Sequence, residues 1–352
     1  MTPARFCEEE SRKFIAITKV EQRKEQGQFF TPLGVARFMG RLTPVATEAL
    51  RVLDPGAGTG ILACAVCEYS ARRKAIKEIH IDTYENDVRL AELLYRTMEY
   101  TKKWMDVRDT KLTYNIFTED FILACSEALW NRELPPYDLA ISNPPYLKIS
   151  KGDPRAQANL ELVWGQPNIY ALFMGVTARQ LKDGGVMVFI TPRSYAAGPY
   201  FRAFRKHFFR IMIPERVHIF ESRTDAFRTA GVLQENIILK ARKAGLTRQI
   251  GISTSEGAGD ISRSRVFRVP ISEALFKIEN DLIFRLPINE DESRILDMVD
   301  NWSGNLHEYG MEISTGPVVP FRAKELIPTE RKGHKNMAPL LWKQNVKHMK
   351  LQ

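Results

Sequence analysis

Four consecutive residues, Asn143-Pro144-Pro145-Tyr146, carry the most specific chemistry in this 352-residue chain. Two prolines fix the backbone and remove two N–H donors, so the Asn143 side-chain oxygen and the Pro144 carbonyl are left as paired acceptors in one small space. A planar amino group offers the two matching donors. Accepting both would draw its nitrogen towards tetrahedral geometry, free the lone pair from the ring and aim it at an electrophile in line. Tyr146 would then stack on the ring bearing that amino group, as on a base flipped from its helix.

A second constellation lies upstream, in Asp54-Pro55-Gly56-Ala57-Gly58-Thr59-Gly60. Its glycines allow a tight turn that brings backbone N–H groups close to a ligand. Glu85, 25 residues after Gly60, ends an apolar run where a carboxylate can hold ribose hydroxyls. Together these residues specify a nucleotide-like cofactor, either a nicotinamide or flavin dinucleotide or S-adenosylmethionine. A pyrophosphate binder carries its third glycine one position later than Gly60, and beside a diphosphate the Asp54 carboxylate would be repelled. Asp54 therefore favours the sulfonium cofactor, with its carboxylate directed at the amino group of the methionine moiety.

Both constellations need a scaffold that brings loops together, and apolar runs of strand length alternate with helical patterns through residues 1 to 241. The runs predict strands at 51–53, 79–85, 111–117, 137–142, 186–191, 216–220 and 236–241. Helices are predicted at 61–73, 88–102, 170–181 and 200–209, after an amphipathic helix at about 9–25 and another opening at Pro32. The pattern is an α/β fold, Rossmann-like, with a mostly parallel seven-stranded sheet. Asn143 then follows a strand directly, in the crevice at the carboxyl end of the sheet. After about residue 245 Gly, Ser and Thr cluster and Pro recurs, so three segments are expected: an N-terminal helical segment (1–30), a catalytic domain (31–245) and a partial recognition domain (246–352).

Over about residues 26 to 241 the sequence resembles the gamma-class, adenine-specific DNA methyltransferases of restriction-modification systems. Gln28-Phe29-Phe30-Thr31-Pro32 is similar to that family's N-terminal motif, which implies that Thr31 contacts the cofactor carboxylate; a plain Thr cap ahead of Pro fits the same residues. Glu119-Asp120-Phe121 resembles the adenine-moiety site, implying that Asp120 accepts from the cofactor's amino group and Phe121 packs on its ring. Asn168 to Phe173, Gly184 to Arg193 and the stretch from Val232 resemble the motifs that follow. Some members place an aromatic residue a few positions before the last of these to stack on the flipped base, and Phe227 occupies that place here. The resemblance implies a class I methyltransferase fold, S-adenosylmethionine as cofactor, double-stranded DNA with a flipped adenine as substrate, and a cognate restriction endonuclease or specificity subunit as a possible partner.

Charge agrees with a nucleic-acid partner. The chain carries a net +9, and between Arg193 and Arg248 twelve Lys and Arg face four acids, a surplus of eight suited to a wall along phosphates. No run reaches membrane-spanning length, and the N-terminus lacks the basic-then-apolar order of a secretory signal, so a cytoplasmic protein is expected. Cys64 and Cys67 form a C-x-x-C inside a predicted helix without a second ligand pair, so they are expected to be small buried residues, and no metal site is expected. The paired acceptors would also serve an RNA adenine or a protein glutamine amide. A non-catalytic specificity subunit and a dinucleotide oxidoreductase complete the alternatives, the first disfavoured by the filled catalytic positions and the second by Asp54 and Gly60.

Overall fold

Residues Val186 to Ile190 show how the fold is built. Val186, Val188 and Ile190 turn to one apolar cluster while Met187 and Phe189 turn to another, and all five are fully excluded from solvent. A strand covered on both faces can hold no polar alternation, hence the uninterrupted apolar run. The computed structural model describes residues 1–19, 27–44, 48–73, 75–131, 136–222, 235–312, 346–347 and 350–351. They fall in two units, Met1–Leu296 and Asp297–Gln352.

The first unit is a nine-stranded sheet: β1 (Ala49–Pro55), β2 (Glu78–Tyr84), β3 (Lys111–Phe117), β4 (Tyr137–Ser142), β5 (Leu181–Pro192), β6 (Met212–Phe220), β7 (Asn236–Lys243), β8 (Gln249–Ser255) and β9 (Val266–Pro270). Its spatial order is β3-β2-β1-β4-β5-β7-β6-β8-β9. Strands β3 to β5 run parallel, whereas β7 lies antiparallel between β5 and β6. The order reverses between β1 and β4, so the loops leaving their carboxyl ends diverge and open a crevice. All seven expected strands are present. Two more, β8 parallel to β6 and β9 antiparallel to β8, continue the sheet past residue 245. The boundary expected there is therefore not a break in the fold: β8 still buries Ile250 and Ile252 completely, although its Gly and Ser content reads as a linker.

Helices α1 (Pro3–Ile17), α2 (Leu33–Arg41) and α3 (Ile61–Ser70) contribute to one core cluster, with the inner face of α4 (Val88–Asp106) beside them. Helices α5 (Phe121–Asn131), α6 (Ile169–Gln180) and α7 (Arg202–Ile211) contribute to the other. Helix α1 starts earlier than expected because Pro3 supplies the fixed φ of a first helical turn, and Ala4, Cys7 and Phe14 give it a buried face. It is part of the same unit as the sheet, the Ala4 amide donating to Glu68 of α3 at 2.9 Å. Cys64 and Cys67 sit fully buried within α3. A hairpin, β10 (Leu275–Ile278) and β11 (Asp281–Phe284), packs on α7 through the rings of Phe209 and Phe284. In the second unit, residues 297–312 complete helix α8 (Glu290–Asp300) and continue in turns. Among the described residues no helix is long and apolar enough to cross a membrane.

Candidate active site

Strand β1 delivers the chain into a turn with three left-handed glycines, Gly56 (φ 94°), Gly58 (φ 57°) and Gly60 (φ 92°). The amides of Gly56 and Ala57 both donate to the Tyr84 carbonyl at the end of β2, at 2.9 Å. At Gly60 a Cβ would stand 2.7 Å from Leu94 Cδ1, whereas at Gly58 it would meet nothing within 4 Å. Glu85 closes the turn: its Oε2 accepts from the Gly58 amide and its Oε1 from the Asp87 amide, both at 2.9 Å. Burial raises the Glu85 pKa and the two amides pull it back. Each carboxylate oxygen keeps a lone pair for a ligand hydroxyl.

Beside this turn lies a cavity of about 640 Å³, whose wall includes Thr31, Gly56, Gly58, Glu85, Asp120, Phe121, Asn143 and Pro145. Residues read from five separate loops thus meet at one place. Tyr84, Phe121 and Phe173 form an aromatic cluster on its wall, with ring centroids 5.2 Å apart for Tyr84 and Phe121 and 5.1 Å for Phe121 and Phe173. Asp120 caps α5 by accepting from the Leu123 amide at 3.1 Å, and its second oxygen lies 3.6 Å from Arg155. Arg155 is also on the wall, held by Asp153, and sequence reasoning missed it. Its partner Asp120 is far away in the chain, so no local spacing could have signalled the pair.

Asp54 and Gly60 do not reach the cavity wall. Asp54 pairs in register with Thr83 of β2 and is completely buried, so the expected direct contact between its carboxylate and a cofactor amino group is not formed by this wall. Among the described residues neither Asp54 oxygen has a well-formed hydrogen bond. Burial, then the charge of Glu85, drives its pKa well above the usual carboxylate range, against only a weak pull from the Ala63 amide.

At the end of β4 the Asn143 carboxamide is held on both sides. Its Nδ2 donates to the Phe29 carbonyl at 2.8 Å and to Thr31 Oγ1 at 3.1 Å. Its Oδ1 accepts from the Tyr146 hydroxyl at 2.7 Å, which also lies 3.2 Å from the Ile190 carbonyl. Burial pushes the Tyr146 pKa well up, so the hydroxyl keeps its proton and stays a donor. Thr31 is not the helix cap that one reading of its motif allowed: α2 starts at Leu33 with Pro32 as its N-cap, and no side chain caps it.

Tyr146 lines a second cavity of about 1300 Å³, with Lys148, Tyr170, Arg193, Ser194, Tyr200 and residues of the 283–296 stretch. Asn143 and Pro145 thus face one cavity and Tyr146 the other, so this loop is the partition between them. Pro144 lines neither wall. Phe227, expected near the same ring, lies outside the described residues, as do Arg223 and Arg228.

The basic stretch divides on inspection. Arg205 is wholly buried, donating to the carbonyls of Tyr195 and Gly198 and pairing with Asp281. Lys240 and Arg242 share Glu215, and Lys243 donates to the carbonyls of Arg179 and Leu181. These cations hold the fold together rather than a phosphate wall, because strands and hairpin bring acids and carbonyls to them. Lys206, Arg210 and the half-exposed Arg202 share the outer face of α7.

Known proteins resemble this chain in sequence and in fold. Residues 62–227 match the family described as Eco57I restriction-modification methylase. The chain is 33% identical over 336 residues to the type II methyltransferase M.PstI of Providencia stuartii, covering 92% of this chain and 64% of that one. It is 34% identical over 319 residues to M.BsuBI of Bacillus subtilis, covering 87% and 61%. It thus spans a little over three fifths of these relatives. Among solved structures, a modification subunit from Vibrio vulnificus YJ016 assigned to a type I restriction enzyme superposes with a TM-score of 0.58 at 17% identity, over 80% of this chain and 64% of that one. The fold is the Rossmann-like one of class I methyltransferases.

Proposed function

The chain is a relative of the restriction-modification methyltransferases, and from that premise we propose that it transfers the methyl group of S-adenosylmethionine to the 6-amino group of adenine in double-stranded DNA. The observation that carries this reading is the Asn143–Tyr146 loop standing between two cavities, one walled by the glycine turn and Glu85, the other by Tyr146. The first cavity suits the cofactor. Open space at Gly58, the lone pairs of Glu85 and the aromatic cluster match a ribose and an adenine ring. S-adenosylmethionine supplies an electrophilic methyl group when bound there.

The protein's own residues do the rest. Asn143 Oδ1 and the Pro144 carbonyl accept the two amino hydrogens, which raises the nucleophilicity of that nitrogen. Tyr146, turned to the larger cavity, receives the face of an extruded base, and Phe227 is proposed for its other face. Asp120 and Phe121 hold the cofactor's adenine, and Thr31 with the glycine turn its methionine end. DNA and a cognate endonuclease or specificity subunit are the proposed partners, with residues 246–352 contributing part of the target recognition.

The test is incubation of duplex DNA with methyl-labelled cofactor, followed by digestion to nucleosides. Label in N6-methyladenine is expected. Label in cytosine, or labelling only of RNA or a glutamine peptide, overturns the reading.

A further inference from the structure

A carboxamide has two ends of nearly equal size, and only one of them can accept from an amino group. Something must therefore decide which way Asn143 faces. We infer that Thr31 holds the Asn143 carboxamide in the orientation that the Phe29 carbonyl selects, and so acts as a positioning residue for methyl transfer; this rests on the role proposed for Asn143.

Both hydrogens of Asn143 Nδ2 are taken by acceptors on one short segment, the Phe29 carbonyl at 2.8 Å and Thr31 Oγ1 at 3.1 Å. A flipped amide would set Oδ1 against the Phe29 carbonyl, lone pair to lone pair, whereas the hydroxyls of Thr31 and Tyr146 can each donate or accept and so hold the amide without selecting its direction. In the observed orientation Tyr146 engages one side of Oδ1 and leaves the other for substrate. The segment is itself anchored. Gly27 takes a left-handed φ of 63° where a Cβ would stand 2.9 Å from Leu147, and Gln28 donates to Asp87, the N-cap of α4, at 3.1 Å. Thr31 is buried, and when it accepts from Asn143 its own O–H remains free to donate towards the first cavity, which it lines. Cofactor contact and amide positioning are thus separable: the first affects affinity, and the second persists at saturation.

The experiment compares Thr31→Val, Thr31→Ala and Thr31→Ser in the full chain. Single-turnover DNA methylation is measured at saturating cofactor and DNA, with S-adenosylhomocysteine affinity measured by calorimetry and folding by melting temperature. Val and Ala should slow the saturated rate about tenfold, and Ser, which restores the acceptor, should return it to within about twofold. A wild-type rate at saturation in Val or Ala, whatever its cofactor affinity, overturns the inference, as does a Ser variant as slow as Val. Full activity of Asn143→Ala would instead strike the proposed function itself.

Discussion

At the scale of single residues, Asn143 and Tyr146 divide the labour within one hydrogen-bonded pair. Asn143→Ala should nearly abolish methyl transfer while leaving cofactor affinity within a few-fold, because its proposed contact is to the amino group of the substrate. Tyr146→Phe removes the hydroxyl that engages Asn143 Oδ1 but keeps the ring, so a loss of about two- to tenfold is expected, against a far larger one for Tyr146→Ala. Parallel rate measurements on the two variants check this, and equal losses would deny the ring its role. Asp54 offers a pH-dependent test. Its folded-state pKa is raised, chiefly by burial, so the folded chain holds a proton that the unfolded chain releases first. That contribution to stability is full below the unfolded value of about 4 and is lost as pH rises towards the folded pKa. Asp54→Asn should therefore melt higher than the parent at pH 8, with a smaller gap at pH 5. Melting curves at both pH values decide it.

At the scale of elements, the glycine turn makes two different demands. Gly60 is confined by its φ of 92° and by Leu94, so Gly60→Ala must strain the backbone and also push the Leu94 side chain aside. Gly58 has a φ of 57° but open space where a Cβ would go, and that space is cavity. Gly58→Ala should cost about 1–2 kcal/mol of stability from the backbone alone, while obstructing the cofactor. The expected result is a larger fall in melting temperature for Gly60→Ala and a larger loss of affinity relative to stability for Gly58→Ala. The opposite ranking in calorimetry and thermal melts would mean that the cofactor does not lie against Gly58. Helix α7 makes a similar division along one element, burying Phe204, Arg205 and Phe208 while turning Lys206 and Arg210 outward.

At the scale of the whole molecule, α7 carries Arg202, Lys206 and Arg210 on one outer face, and the proposed DNA partner predicts that this face meets phosphates. Neutralising Arg202, Lys206 and Arg210 together should weaken binding about equally for specific and random duplexes and reduce the salt slope by about one unit per phosphate contact. Filter binding across several salt concentrations measures both; an unchanged slope would leave α7 a solvated face. Arg205→Ala should behave differently, unfolding the protein more readily by stranding Asp281 and two carbonyls.

Much of this was legible in the chain itself. Strand runs such as Val186 to Ile190 report burial on both faces, and the left-handed glycines and Asn143-Pro144-Pro145-Tyr146 announce local geometry, because neighbouring residues suffice to impose it. Strands β8 and β9 were not legible, since their place depends on pairing with β6 rather than on their own Gly- and Ser-rich composition. Nor were the uses of Arg155, Arg205 and Thr31 towards Asp120, Asp281 and Asn143, which lie 35 to 112 positions away. The residue types, their spacing and the alternation of strand and helix determined that a glycine turn and the Asn143–Tyr146 loop would stand at the carboxyl edge of one sheet. Only the folded chain decided that Asp54 is sealed beneath that turn, that Arg205, Lys240, Arg242 and Lys243 of the basic stretch are spent on internal carboxylates and carbonyls, and that the N-terminal segment grips Asn143. Periodicity and turn chemistry are properties of neighbours, whereas burial and hydrogen-bond partners between distant segments exist only once the sheet has brought those segments together.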